Sequence, residues 1–202
     1  MSFTDWRQTV TLVNVHDIHE RDRQREAARS RQRTPRHARY QLDVVGAHVA
    51  DVVGSAGGWL FDRVMAGWDV RVAVVNPGGL AALQILGVHT VGLDAVVGVG
   101  ANAPTALAVA GTVCSTDDRV CDALAASVRS ARNEVTMWGD VWVPSMGRPG
   151  DEVRHELSAA ARVFKAQAAF AAGLDAAPTA FEVFRSYGQS IGTDYPDLLP
   201  VG

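Results

Sequence analysis

Val49-Ala50-Asp51-Val52-Val53-Gly54-Ser55-Ala56-Gly57-Gly58-Trp59-Leu60-Phe61-Asp62-Arg63-Val64-Met65-Ala66-Gly67-Trp68-Asp69-Val70-Arg71-Val72-Ala73-Val74-Val75-Asn76 is the stretch on which the fold turns, because two incompatible structures fit it. In one, Val49 to Val53 is a strand, Gly54 to Gly58 a phosphate-cradling turn, and Trp59 to Ala66 a crossover helix into a second strand. In the other, Leu42 to Ala66 is a single helix whose glycines let it pack closely.

Spacing favours the helix. Val45, Val49, Val52, Val53, Ala56, Leu60 and Val64 recur at three and four residues, the period of an amphipathic helix. Beside them Gly46, Ala50, Gly54 and Gly58 form a small-residue stripe, at a propensity cost of about 1 kcal/mol for each glycine relative to alanine. Gly67 suits the position just past the helix end. Asp69 to Val75 then alternates as the clearest strand of the chain.

The turn reading asks for Gly-x-Gly-x-x-Gly after a strand, so that backbone amides and a helix N-terminus meet pyrophosphate, and for an acid after the second strand to hold ribose. Gly54, Gly57 and Gly58 miss that spacing, and Asn76 stands where the acid belongs. These four residues are therefore weak cofactor-binding candidates, and no cofactor is expected.

Further along, Asn76 to Gly79 reads as a turn, Leu80 to Leu86 as a short helix stopped by Gly87, and Val88 to Val91 as a short strand. Pro104 to Ala110 reads as a short helix. A longer one begins near Thr116, with Ser115 and Thr116 as N-cap candidates and Val120, Leu124 and Val128 as its apolar face. Glu134 to Val143 reads as a strand. Asp151 is expected to cap the last long helix, carrying Val153, Leu157, Ala161, Phe164 and Ala168, and Pro178 to Tyr187 a final helix. The expected fold is α/β or α+β: a small sheet of three or four strands covered by several helices, with a flexible Arg-rich N-terminal arm. Residues 1–40 form that arm, 41–187 a single body and 188–202 a tail.

At 202 residues the chain can bury roughly 70% of the surface its unfolded form exposes, so neither metal nor disulfide is needed for stability. Charge is unevenly spread, with nine arginines against five acids in residues 1–40 and ten basic residues against seventeen acids thereafter. Cys114 and Cys121, on one helix, would lie about 10 Å apart along its axis, which suits reduced thiols in a cytoplasmic protein. The uncharged run Ala95 to Cys114 is broken by Gly98, Gly100, Asn102, Pro104 and Gly111, so no membrane span is expected.

Four constellations carry chemistry. Arg21, Arg23, Arg25, Arg29, Arg31, Arg33, Arg36 and Arg39 are suited to neutralising phosphates of a nucleic acid, although Glu20, Asp22 and Glu26 dilute them and only Tyr40 offers a stacking ring. His16, Asp17, His19 and Glu20, and separately Glu152 with His155, have metal-ligand spacing on a helix but lack a second cluster, so no metal is assigned. Trp138, Asp140 and Trp142 fall on one strand face and suit a flat or cationic ligand, or a partner surface. No Gly-x-Ser-x-Gly elbow, Walker loop or His-Glu-x-x-His is present, which leaves the catalytic residues unknown.

The phrases from Ala56 to Val70, Leu83 to Gly87 and His155 to Lys165 resemble conserved actinobacterial, especially mycobacterial, proteins of unknown function. The resemblance implies no activity; it implies that residues 42–173 are one body. A well-specified core without a catalytic set leads to an expectation of a non-catalytic cytoplasmic regulatory protein that binds a protein partner or its own copies. The alternatives are a nucleic-acid-associated protein using residues 21–39, and a small-molecule or nucleotide enzyme using the Gly54 to Gly58 turn.

Overall fold

A computed structural model describes residues 40–97, 104–139, 143–175, 179–187 and 197–201. The Arg cluster at 21–39, His16, Asp17, His19, Glu20, Asp140 and Trp142 lie outside them.

The decisive stretch follows neither reading. Gln41–His48 is a strand (β1), and Val49–Met65 is a helix (α1) that contains all three glycines. Asp69–Asn76 (β2) completes a β-α-β unit, and Gly67 at φ 90° ends α1. Leu42, Asp43, Val44 and Val45 are all buried, so β1 is covered on both faces. A central parallel strand of this kind has no alternation to betray it. Asp43 tolerates burial because Arg71, its register partner on β2, donates Nε and Nη2 to its two carboxylate oxygens, both at 2.7 Å.

Ala81–Ile85 (α2), His89–Thr90 (β3), Asp94–Val97 (α3), Ala106–Ala110 (β4), Asp118–Ser130 (α4) and Glu134–Trp138 (β5) extend the winding. Asp151–Glu156 (β6), Ala159–Ala171 (α5), Phe181–Ser186 (β7) and Leu199–Pro200 (β8) close it. The eight strands lie in the order β3-β2-β1-β4-β5-β7-β6-β8, parallel through β5 and antiparallel beyond it. The expected sheet of three or four strands is thus corrected to a single mixed sheet of eight.

The expected helix from Leu42 to Ala66 hid β1 and the expected tail hid β8, and three further expected helices hid β4, β6 and β7. Residues 106–110 form a fully buried strand of small residues. Asp151 opens β6, not a helix, and Ser158 caps α5 by accepting from the Ala161 amide at 3.0 Å. Phe181 and Phe184 lie on β7, facing opposite sides, one exposed and one buried. The α4 cap is Asp117, one residue beyond the expected Thr116.

Helices α1, α2 and α5 pack together, with α5 antiparallel to α1: Ser158 meets Asp62 near the end of α1, and Leu174 reaches Gly54 near its start. Right-handed crossovers that leave β1 in one direction and β4 in the other put α4 on the opposite face. Lys165 and Glu182 enter α1 from the side. Lys165 Nζ donates to the Gly54 carbonyl at 2.7 Å and to Glu182 Oε1 at 2.6 Å, while the Gly58 and Trp59 amides donate to Glu182 at 2.9 and 2.8 Å. In an unbroken helix the Gly58 amide would serve the Gly54 carbonyl alone, so the ion pair is threaded into the backbone ladder. Only a residue without Cβ admits it: a Cβ at position 58 would overlap Leu157 and stand 3.3 Å from Glu182 Oε1.

At the other end of α1, Arg63 donates to Asp197 (Nε 2.6 Å, Nη2 3.0 Å) and to both oxygens of Glu134, with Trp59 and Trp68 flanking its guanidinium. Trp59 Nε1 also donates to Asp197, at 2.9 Å, so one arginine and one indole hold the 197–201 segment to the body. Burial outweighs Arg63 at Glu134 and pushes its carboxyl up to about 7.

Gly58→Ala is expected to lower stability by about 1–3 kcal/mol through overpacking against Leu157, measured by denaturant unfolding. Because the Glu134 pKa of about 7 stands above its ordinary 4.5, the folded chain holds that proton more tightly than the unfolded chain. Its contribution is complete below the lower value and is lost as pH rises through the higher, a span of roughly 3 kcal/mol. Glu134→Gln should flatten the stability profile across that window, as read by unfolding midpoints at successive pH values.

Candidate functional site

The parallel strands point their carboxyl ends to one edge, where β1, β2, β4 and β5 finish at His48, Asn76, Ala110 and Trp138. Here the winding reverses, since the chain leaves β1 toward β2 and leaves β4 toward β5. In open α/β sheets the crevice at such a reversal is where ligands bind. The first turn of α1 lies across it and presents Asp51.

Trp138, the last residue of β5, is buried and donates its indole N–H to Asp51 Oδ1 at 3.0 Å. Ser55, one turn along α1, reaches the same oxygen at 3.5 Å. Asp51 Oδ2 is buried and has no hydrogen-bond partner among the described residues. A buried acceptor left unpaired costs about 1–3 kcal/mol, which marks this carboxylate as a candidate to meet a ligand.

On the β2 side of the same turn lies a cleft of ≈ 390 Å³ lined by His48, Val49, Ala50, Asn76, Gly78, Gly79, Ala171 and Ala172. His48 is exposed, and Asn76 Nδ2 donates to the Ala47 carbonyl at 3.4 Å. Two polar limbs, Asp51 with Trp138 and His48 with Asn76, thus flank the first turn of α1. Among the described residues, no group of three His, Cys, Asp or Glu is placed to hold a metal.

Of the residues singled out from sequence, the structure brings Asn76 and Trp138 to this edge. Trp138 serves Asp51 with its indole edge rather than offering an open ring face. Gly54, Gly57 and Gly58 lie inside α1, where Glu182 already accepts from the Gly58 and Trp59 amides that a phosphate would use. Tyr40 stacks on Trp68, with ring centroids 5.1 Å apart. Glu152 and His155 sit on β6, where residues three apart face opposite sides; His155 Nε2 meets Asp62 at 2.9 Å and its Nδ1 the Asp197 carbonyl at 2.8 Å. Cys114 and Cys121 are not on one helix, because Cys114 lies in the 3₁₀ turn Gly111–Ser115 that precedes α4. Both are free thiols; burial and the adjacent Cys121 push the Cys114 thiol up to about 12. No described helix is long and apolar enough to cross a membrane.

Sequence reasoning missed His48 and Asp51. Their signal was a strand-to-helix junction three residues earlier than Asp51, hidden by the apolar run on either side.

No protein-family model matches the chain, and no curated protein matches it. Solved structures do. The chain is similar to the A40926 pseudoaglycone deacetylase at 17% identity and a TM-score of 0.53, over 75% of this chain and 100% of that one. It is also similar to a deacetylase in complex with teicoplanin at 15% identity and a TM-score of 0.50, over 72% and 97% of the two chains. At these identities the likeness is one of fold. It nevertheless corrects the expectation of a non-catalytic interaction protein, because the fold is one that solved deacetylases use.

Trp138→Phe removes the donor that fixes Asp51. Thermal unfolding is expected to show a loss of about 1–3 kcal/mol, beyond what the smaller ring alone accounts for, with Asp51→Asn in the same background restoring part of it.

Proposed function

We propose that this chain is a hydrolase that cleaves an acyl group from an amine at the carboxyl edge of its parallel strands. The observation that carries this reading is Asp51, fixed through Oδ1 by Trp138 with a buried Oδ2 that no described residue hydrogen-bonds, at the reversal of the winding. That similarly folded structures are those of deacetylases supports the reaction class.

In this reading Asp51 Oδ2 accepts a proton from water as the water oxygen adds to the amide carbon. The same oxygen returns that proton to the departing nitrogen as the C–N bond breaks, leaving a carboxylic acid and an amine. Trp138 acts as a positioning residue, holding the carboxylate in one orientation. His48, Asn76 and the Gly78–Gly79 backbone supply polar contacts for the amine portion in the adjoining cleft.

A panel of N-acetylated amines and amino sugars, with released acetate and free amine both quantified, tests the proposal. At least one member should be turned over, and Asp51→Asn, which keeps the shape and the Trp138 hydrogen bond, should slow turnover about 10²–10⁴-fold. Failure of the native chain to release acetate from any member, or equal rates for Asp51→Asn, would overturn it.

A further inference from the structure

The geometry points to the uncovered face of β6, β7 and β8 as the docking surface for a second copy of this chain. One face of these strands is closed: Phe184 packs on Trp59 with ring centroids 4.9 Å apart, Glu182 enters α1, and His155 meets Asp62. The other carries Phe181, Val183, Leu199 and Val201, 49%, 43%, 47% and 39% exposed. Register makes these one patch. Val183 and Leu199 flank Arg154 on either side, Phe181 lies beside Glu156, and the Val201 amide donates to the Glu152 carbonyl at 3.1 Å. Single exposed apolar residues need no explanation, but four on one three-stranded face do.

Edge-to-edge association is closed off. The outermost strand, β8, has only two residues, and one is Pro200, which has no N–H to extend a ladder. Face-to-face packing is open, and the charges suit it. Along β6 the exposed side chains alternate as Glu152, Arg154 and Glu156. A two-fold axis crossing β6 between Arg154 and Glu156, perpendicular to the strand and in the plane of the interface, places Arg154 opposite Glu156 of the second copy and Val183 opposite Phe181. An isologous contact requires such self-complementarity, in which each residue and its counterpart serve one another in turn. Two sheet faces packed this way stand about 10 Å apart, within reach of both pairs.

Light scattering of the full chain, followed through a concentration series, is the test. The native chain should have the mass of a dimer, and Val183→Glu with Leu199→Glu the mass of a monomer that stays folded by circular dichroism, with a melting temperature that no longer depends on concentration. Arg154→Glu alone should weaken the dimer at least about tenfold, and adding Glu156→Arg should restore it, because the swap exchanges both members of the pair. A native monomer at every concentration, a dimer indifferent to the substitutions, or a charge swap that restores nothing would overturn the assignment. A native monomer that melts lower when Val183 and Leu199 are replaced would give this face to other residues of the same chain, and equally overturn it.

Discussion

The Lys165–Glu182 ion pair threaded into α1 is the constraint on which the rest of the structure depends. It is made by the core-facing side of α5 and the start of β7, and it grips the backbone of α1 between Gly54 and Trp59. Three elements far apart in sequence are thereby locked at one point. Two desolvated charges are costly together and more costly apart: removing one partner of a buried pair costs about 3–5 kcal/mol, because the survivor is left buried without compensation. The amides of Gly58 and Trp59 offset part of the Glu182 desolvation, which only the absence of a Cβ at position 58 permits.

From that point α1 is pinned in both directions. Toward its C-terminus, Asp62 takes the Ser158 hydroxyl at 2.6 Å and His155, and Arg63 gathers Glu134 and Asp197 beneath the sheet. Toward its N-terminus, no described side chain except Trp138 and Ser55 meets Asp51. Asp51 Oδ2, a buried atom of α1 that no described residue hydrogen-bonds, stands where the strand winding reverses. A rigid scaffold with one unsatisfied carboxylate at its ligand-binding edge is the arrangement expected of a preorganised site.

How much of this was legible in the sequence depends on how local each signal is. The C-terminal half of α1, Gly67, β2, α4 and β5 announce themselves through periodicity and capping chemistry that act within a few residues. The central strands do not. Ala106 to Ala110 is buried on both faces, so its apolar run carries no alternation, and Leu42 to Val45, also buried on both faces but holding Asp43, merged with the spacing of α1. Val153, Leu157 and Ala161 mimic one helical stripe although the strand β6 ends between the first two. Asp51 was invisible as a site residue because its partner Trp138 lies 87 positions away. The glycines were legible as a packing device but not for what they admit, since Glu182 arrives from 124 residues further along.

The central claim, that Asp51 receives a ligand at this edge, is tested most directly by the indole N–H resonance of Trp138. Titrating the full chain with an N-acetylated amino sugar, and following backbone and indole N–H signals by NMR, reports on the hydrogen bond that fixes the carboxylate. The account predicts a saturable shift of the Trp138 indole together with the amides of residues 49–52. A ligand that binds while leaving these signals unmoved would contradict it.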